Sequence, residues 1–210
     1  MLKQSVASRR KENVNAKALC ATLWFELKTP WKGRRKLDLK SKIRRIPEFK
    51  GVVFWDITPL LKDKLAFRES VKEMSKHFRH TAADVIVSSE ARGFILGAAM
   101  AYELGVGFVP IRKKGKLPSK TVKLTYQKEY EPDTIEIHED SIKPGERVLL
   151  IDDLLATGGT IKANAELVEK LGGKVVGIGF LIELGYLHGR NALGGRYEVF
   201  SLINLKTSNG

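Results

Sequence analysis

Val148-Leu149-Leu150-Ile151-Asp152-Asp153-Leu154-Leu155-Ala156-Thr157-Gly158-Gly159-Thr160 is the stretch whose reading decides the fold. Val148–Ile151 is an unbroken apolar run, the pattern of a strand buried on both faces of a parallel sheet. It runs into two carboxylates and then a small Gly/Thr-rich turn. Gly158 and Gly159 permit a tight turn whose backbone amides converge. Thr160 is placed to cap the helix that follows. Converging N–H groups at a helix start form an anion site suited to phosphate. The acidic pair beside it suits hydroxyl groups and a hard cation. Phosphate, sugar hydroxyls and a divalent cation together point to a phosphorylated sugar. No Lys-Ser/Thr follows the glycines, so the turn is not a Walker loop.

Outward from this stretch, apolar segments alternate between the two periodicities. Downstream, a helix over Thr160–Leu171 directs Ile161, Ala165, Val168 and Leu171 inward, and Gly172-Gly173 ends it. Lys174–Glu183 and Tyr197–Ile203 read as strands. Upstream, Ile43–Phe49 is a short amphipathic opening broken by Pro47. Gly51–Ile57 is β-prone, and Pro59 follows in a turn. Phe67, Val71, Met74 and Phe78 predict a helix over Lys64–Phe78. Asp84–Ser88 is a strand, Glu90–Gly93 the turn after it, Phe94–Leu104 a helix stopped by Gly105, and Phe108–Ile111 a further strand. Arg112–Asp133 is polar and basic without apolar period, which predicts a lid or binding loop. Thr134–His138 alternates as a half-buried strand.

Alternating strands and helices imply an α/β fold with a mostly parallel sheet flanked by helices and right-handed crossovers. Ligands bind such sheets beyond the carboxyl ends of the strands. Glu90–Gly93, Arg112, Asp152–Thr160 and Glu183-Leu184 all lie at such ends and predict one shared crevice.

The chain has 210 residues, enough for one domain with a sizeable core. Cys20 is its single cysteine, so no intrachain disulfide and no cysteine zinc site can form, which fits a reducing compartment and a cytoplasmic location. His77 and His80 stand three apart on one helix face, a spacing that can hold a metal; we read them as a solvated helix end. No apolar stretch is long enough to span a membrane. The net charge is +13. Residues 1–36 carry ten Lys/Arg and two Glu, hence +8, which leaves +5 on the other 174 residues. Such charge suits nucleic acid or a substrate bearing several phosphates, and does not choose between them.

Residues 1–36 differ from the body. They are basic, include Arg9-Arg10-Lys11 and Arg34-Arg35-Lys36, and show no long apolar period. They fit an organelle presequence, a segment packing Trp24, Phe25 and Trp31 on the body or a partner, or an over-extended start whose native first residue is Leu37. We adopt the last, so 1–36 is expected to be disordered or non-native and 37–210 to be the functional domain. N-terminal sequencing of the natural protein separates the readings.

Beyond the central stretch, a set of motifs carries a resemblance over residues 38–203. They are Gly51-Val52-Val53-Phe54, Asp56-Ile57-Thr58-Pro59-Leu60-Leu61-Lys62-Asp63, Glu90-Ala91-Arg92-Gly93-Phe94, Ile111-Arg112-Lys113-Lys114-Gly115-Lys116-Leu117-Pro118 and Tyr126-Gln127-Lys128-Glu129-Tyr130. In this order, with Val148–Thr160, they resemble the adenine branch of the type I phosphoribosyltransferases. The resemblance implies a core sheet with a flexible lid loop and a small hood. It implies purine salvage: adenine joined to phosphoribosyl pyrophosphate with magnesium, giving AMP and pyrophosphate, in a homodimer with no nucleic-acid or membrane partner.

By the same resemblance, Ala156, Thr157, Gly158, Gly159 and Thr160 hold the 5′-phosphate. Asp152 and Asp153 face the ribose hydroxyls, directly or through magnesium, and favour a cationic sugar. Arg92, Arg112, Lys113 and Lys116 take the pyrophosphate, a task suited to paired guanidinium donors. Glu129 is the lid carboxylate that exchanges a proton with the adenine imidazole edge. Adenine stacks between Phe54 and Leu184, with backbone groups around Val53 and Trp55 reading its amino edge. Two positions depart from the family pattern: Trp55 stands where a basic residue is usual, and the linker Phe49-Lys50-Gly51 is short. Two other classes compete. One is a phosphoribosyltransferase for another purine, xanthine or hypoxanthine. The other is a non-catalytic, phosphoribosyl-pyrophosphate-sensing regulator that binds nucleic acid, against which residues 1–36 are too short and irregular for a helix-turn-helix.

Overall fold

The computed structural model describes residues 37–49, 51–127 and 132–209. The expectations for residues 1–36 and for Glu129 therefore lie outside the described residues. A two-stranded antiparallel ribbon comes first, β1 (Arg44–Phe49) and β2 (Val52–Asp56), with Ile46 opposite Phe54 and Arg45 opposite Trp55. This is the hood. Two helices follow, α1 (Thr58–Lys62) and α2 (Lys64–Phe78). Pro59 is not in a turn but in the first turn of α1, where its missing N–H costs no helix bond. Asp63 caps α2, its carboxylate accepting from the amides of Leu65 and Ala66 at 3.0 and 3.2 Å. The predicted span of α2 holds, and Val71, Met74 and Phe78 are buried.

The core is one seven-stranded sheet. In chain order its strands are β3 (Val85–Ser89), β4 (Gly107–Lys113), β5 (Thr121–Gln127), β6 (Pro132–His138), β7 (Arg147–Leu155), β8 (Lys174–Leu184) and β9 (Val199–Leu205). Their spatial order is β5-β6-β4-β3-β7-β8-β9. The β4-β3-β7-β8-β9 block is parallel, as the buried apolar runs predicted, while β6 joins β4, and β5 joins β6, antiparallel. Helices α3 (Arg92–Leu104) and α4 (Gly159–Lys170) are the crossovers. Chain order reverses between β3 and β7, because β4 lies to one side and β8 to the other. A crevice opens at such a switch point, beyond the carboxyl ends of the strands.

Three expectations are corrected. The central strand does not stop at Ile151. It continues to Leu155, pairing Asp152 with Phe180 and Leu155 with Glu183 across β8, so both carboxylates sit within the strand and not just beyond its end. Thr160 does not cap α4. The cap position is Gly158, with φ +87°, and Thr160 lies inside the first turn. Arg112–Asp133 is not one unstructured lid, because β5 occupies its middle. Val122, Leu124 and Tyr126 alternate along β5 and pack on the core, a period of two that the surrounding lysines mask.

Candidate active site

The described residues enclose a cleft of about 440 Å³ at the switch point. It is lined by Ser89–Arg92 from the end of β3 and the start of α3, by Asp152–Ile161 from β7 through the start of α4, and by Gln127 at the end of β5. The structure thus brings together Arg92, Asp152, Asp153, Ala156, Thr157, Gly158, Gly159 and Thr160, as the sequence predicted.

Ala156–Thr160 wraps the N-terminus of α4. Gly158 holds a left-handed backbone conformation that a side chain disfavours, and a Cβ there would meet Ala192 Cβ at 2.8 Å. The four N–H groups that open a helix have no partner within it, and the helix dipole adds positive potential at that end. The first turn of α4 carries no acidic residue to compete for those amides. The Thr160 hydroxyl lies 3.2 Å from the Tyr126 hydroxyl, which ties β5 to the Ala156–Thr160 loop.

Asp152 is built in from three sides. Its Oδ2 accepts from the Ser89 hydroxyl at 2.8 Å, and its Oδ1 accepts from the Asp153 amide at 2.9 Å. Gly93 gives it room, since a Cβ at 93 would stand 2.6 Å from Oδ1. Burial, and then the neighbouring Asp153 charge, push the Asp152 carboxyl up to about 7. Burial raises Asp153 as well, while the Arg92 guanidinium opposes it. Arg92 Nε lies 2.9 Å from Asp153 Oδ2 as an ion pair, although Oδ2 has no aligned hydrogen bond. Arg92 also spans to the hood: its Cζ sits 5.0 Å from the centroid of the Phe54 ring.

The basic run is arranged by Glu90, the residue that follows β3. Glu90 accepts from Arg112 Nε at 2.9 Å, from the Lys113 amide at 3.1 Å, and from Lys116 Nζ. Burial works to raise the Glu90 carboxyl, but the Lys116 and Arg112 hydrogen bonds outweigh it and hold the group at about 2. Arg112, Lys113 and Glu90 meet beside Tyr126 and Thr160 in a small recess next to the cleft. Lys113 Nζ reaches toward Asp133 at 3.9 Å. Ser89 is thus a site residue that the sequence does not single out, and Glu90, already expected at the crevice, anchors the basic run there. The signal was there: Ser88-Ser89-Glu90 breaks an apolar strand at its carboxyl end.

The base set stands apart. Val53, Phe54, Trp55 and Leu184 do not line the cleft. Phe54 is half-buried, 5.2 Å from the Phe49 ring, and reaches the site through Arg92. Trp55 is buried with Nε1 lacking a hydrogen-bond partner, and Leu184 is buried at the end of β8. His77 and His80 are not site residues: both bond Glu198, at 2.9 and 3.1 Å.

Two adjacent carboxylates, Asp153 buried and Asp152 half-buried, offer hard oxygen ligands, and among the described residues no third His, Cys, Asp or Glu completes a metal-holding group with them. Asp153 Oδ2 is buried and accepts no hydrogen bond, and desolvation disfavours charge on both acids. That donor set fits a magnesium ion that draws its remaining ligands from water and substrate phosphates. The described residues also contain no helix long and apolar enough to cross a membrane.

The chain matches the phosphoribosyl transferase domain over residues 59–201. It is 56% identical over 171 residues to the adenine phosphoribosyltransferase of Desulfitobacterium hafniense, covering 80% of this chain and 98% of that protein. The crystal structure of adenine phosphoribosyltransferase from Thermoanaerobacter pseudethanolicus superposes with a TM-score of 0.78 at 52% identity, covering 80% of this chain and 98% of that one. The APRTase of Giardia lamblia complexed with 9-deazaadenine gives a TM-score of 0.78 at 39% identity, covering 81% and 97%.

Proposed function

The chain belongs to the phosphoribosyltransferase family, and from that premise we propose how its cleft works. It is a pentosyltransferase of purine salvage, moving the 5-phosphoribosyl group from phosphoribosyl pyrophosphate to adenine and giving AMP and pyrophosphate. The observation that carries the residue assignment is the meeting, in one cleft, of the Ala156–Thr160 loop, the Asp152-Asp153 pair and Arg92.

The amides at the start of α4, with the Thr157 and Thr160 hydroxyls, hold the 5′-phosphate and fix the sugar. Positioning of this kind is worth roughly 7–11 kcal/mol of barrier. Asp152 and Asp153 hold the ribose hydroxyls and offset positive charge as the bond from C1′ to pyrophosphate lengthens. They are also the residues that would hold magnesium, which supplies neutralisation of the departing polyanion when bound. Arg92 and the Glu90-anchored Arg112, Lys113 and Lys116 receive the pyrophosphate. Glu129, two residues beyond the cleft-lining Gln127, exchanges a proton with the base. The hood residues Val53, Phe54 and Trp55, with Leu184, close on adenine; Arg92 against Phe54 is the contact that joins hood and cleft.

We further propose residues 37–210 as the catalytic domain, with Asp38–Gly210 forming one compact unit. The proposed state is a homodimer. Ile95 and Tyr102, seven residues apart on α3, are 43% and 90% exposed, while Leu96, Met100 and Ala101 of the same helix are buried. An outward apolar stripe beside an inward one suits a second copy. The proposed location is the cytoplasm, in keeping with one cysteine in 210 residues. No nucleic-acid partner is assigned.

A panel of adenine, hypoxanthine, guanine and xanthine, each with phosphoribosyl pyrophosphate and magnesium, tests the base. A backbone acceptor facing the 6-amino group opposes a 6-oxo group, so adenine should lead by about 10⁴-fold in kcat/KM. Equal turnover of hypoxanthine would contradict the assignment.

A further inference from the structure

A 3₁₀ segment, Gly189–Leu193, lies directly behind the phosphate loop and outside the cleft lining. A Cβ on Gly158 would collide with the Gly189 carbonyl oxygen, and a Cβ on Gly189 would collide with the Ala156 carbonyl oxygen and stand 3.0 Å from Leu155 Cδ1. The two backbones therefore touch with no side chain between them. Contact that close transmits a shift in one directly to the other.

Arg190, in this segment, is clamped. Its Nε donates to Glu183 Oε1 at 2.8 Å and its Nη2 donates to Glu183 Oε2 at 2.7 Å, a two-point pairing. Its Nη1 donates to the Val199 carbonyl at 2.9 Å. Glu183 is 5% exposed and sits opposite Leu155 in the sheet. The guanidinium thus ties the segment to the carboxyl end of β8 and to the start of β9. Fixed paired donors hold an orientation as well as a distance.

We propose that Arg190, clamped by Glu183, is a positioning residue for the 5′-phosphate: it holds Gly189 and Ala192 against Ala156–Gly158 so that the loop amides stay aimed at the anion. This rests on the reading of that loop as the 5′-phosphate site. The hydrogen bonds of Arg190 go to Glu183, Val199 and Ser201, and not to Arg92, Asp152 or Asp153, which belong to other elements. Its loss should therefore weaken substrate capture more than it slows the chemical step.

Arg190→Gln is compared with the wild type in steady-state kinetics and in amide hydrogen exchange. The expected result is a KM for phosphoribosyl pyrophosphate raised about tenfold, with kcat and the KM for adenine within about twofold. Exchange should quicken at residues 156–160 and stay unchanged in β3. Gly189→Ala, which strikes the loop without touching Glu183, should give the same split, and Arg190→Lys should fall between. If Arg190→Gln does not fold, those two variants carry the test. A chain with a lower unfolding midpoint but wild-type KM and wild-type loop exchange overturns the proposal. If the wild type itself makes no nucleotide, the functional reading fails, and loop exchange alone then decides the brace.

Discussion

Arg92 Nε stands 2.9 Å from Asp153 Oδ2, so the cation expected to meet pyrophosphate is held by the acid expected to meet the sugar. One ion pair thus joins two halves of the proposed chemistry, with Phe54 of the hood on the other side of the guanidinium. Arg92→Ala removes the cation and leaves Asp153 buried without its ion-pair partner. The expected loss in kcat/KM for phosphoribosyl pyrophosphate is about 10²–10³-fold. Steady-state kinetics with that substrate varied check this, and a change under threefold would contradict it.

Asp152 gives a pH signature with a definite sign. Its carboxyl is pushed up to about 7 in the folded chain, by burial first and by Asp153 second. A raised carboxyl binds its proton more tightly when folded, so its contribution is full below the ordinary carboxylate range. It is lost as pH climbs toward about 7. In metal-free buffer, Asp152→Asn should therefore unfold at a higher temperature than the wild type, with a gap that widens from about pH 5 to pH 7.5. Each kcal/mol of that gap corresponds to about 2–4 °C in a chain of this size. Thermal melts across this range check it, and a flat gap contradicts it.

Gly158→Ala strains a backbone at φ +87° and drives a methyl into Gly189 and Ala192. The expected cost is about 1–3 kcal/mol of stability. The KM for phosphoribosyl pyrophosphate should rise at least tenfold, because the amides of the loop lose their aim. Chemical denaturation and initial-rate kinetics measure the two effects separately.

Glu129→Gln should lower kcat about 10²-fold or more and leave both KM values within a few-fold, the mark of a proton-transfer group rather than a binding group. Near-normal turnover would remove Glu129 from the mechanism.

Much of this site was legible because it is local. Val148–Thr160 carries strand, carboxylates, turn and helix start in thirteen consecutive residues, and Asp152–Thr160 of it line one cleft. The details that were not legible depend on partners far away in the chain. The strand reads as ending at Asp152 and Asp153 because acids rarely continue a buried strand; Ser89 and Arg92, from β3 and α3, supply partners for the two acids within β7. Strand β5 is hidden because Lys123 and Thr125, between Val122, Leu124 and Tyr126, sit in a lysine-rich stretch that masks a period of two, and only the core behind it reveals that period. Glu90 read as a turn residue until the fold placed Arg112 and Lys116, more than twenty residues on, against it. The brace behind Gly158 needed coordinates, because nothing in Gly189-Arg190-Asn191-Ala192 signals which loop it touches.

The most direct test mixes the pure chain with adenine, phosphoribosyl pyrophosphate and magnesium and follows both products. AMP and pyrophosphate in equal amounts, with formation halted by a magnesium chelator, is the predicted result. No nucleotide from adenine under those conditions, with the chain folded, would contradict the account at its centre.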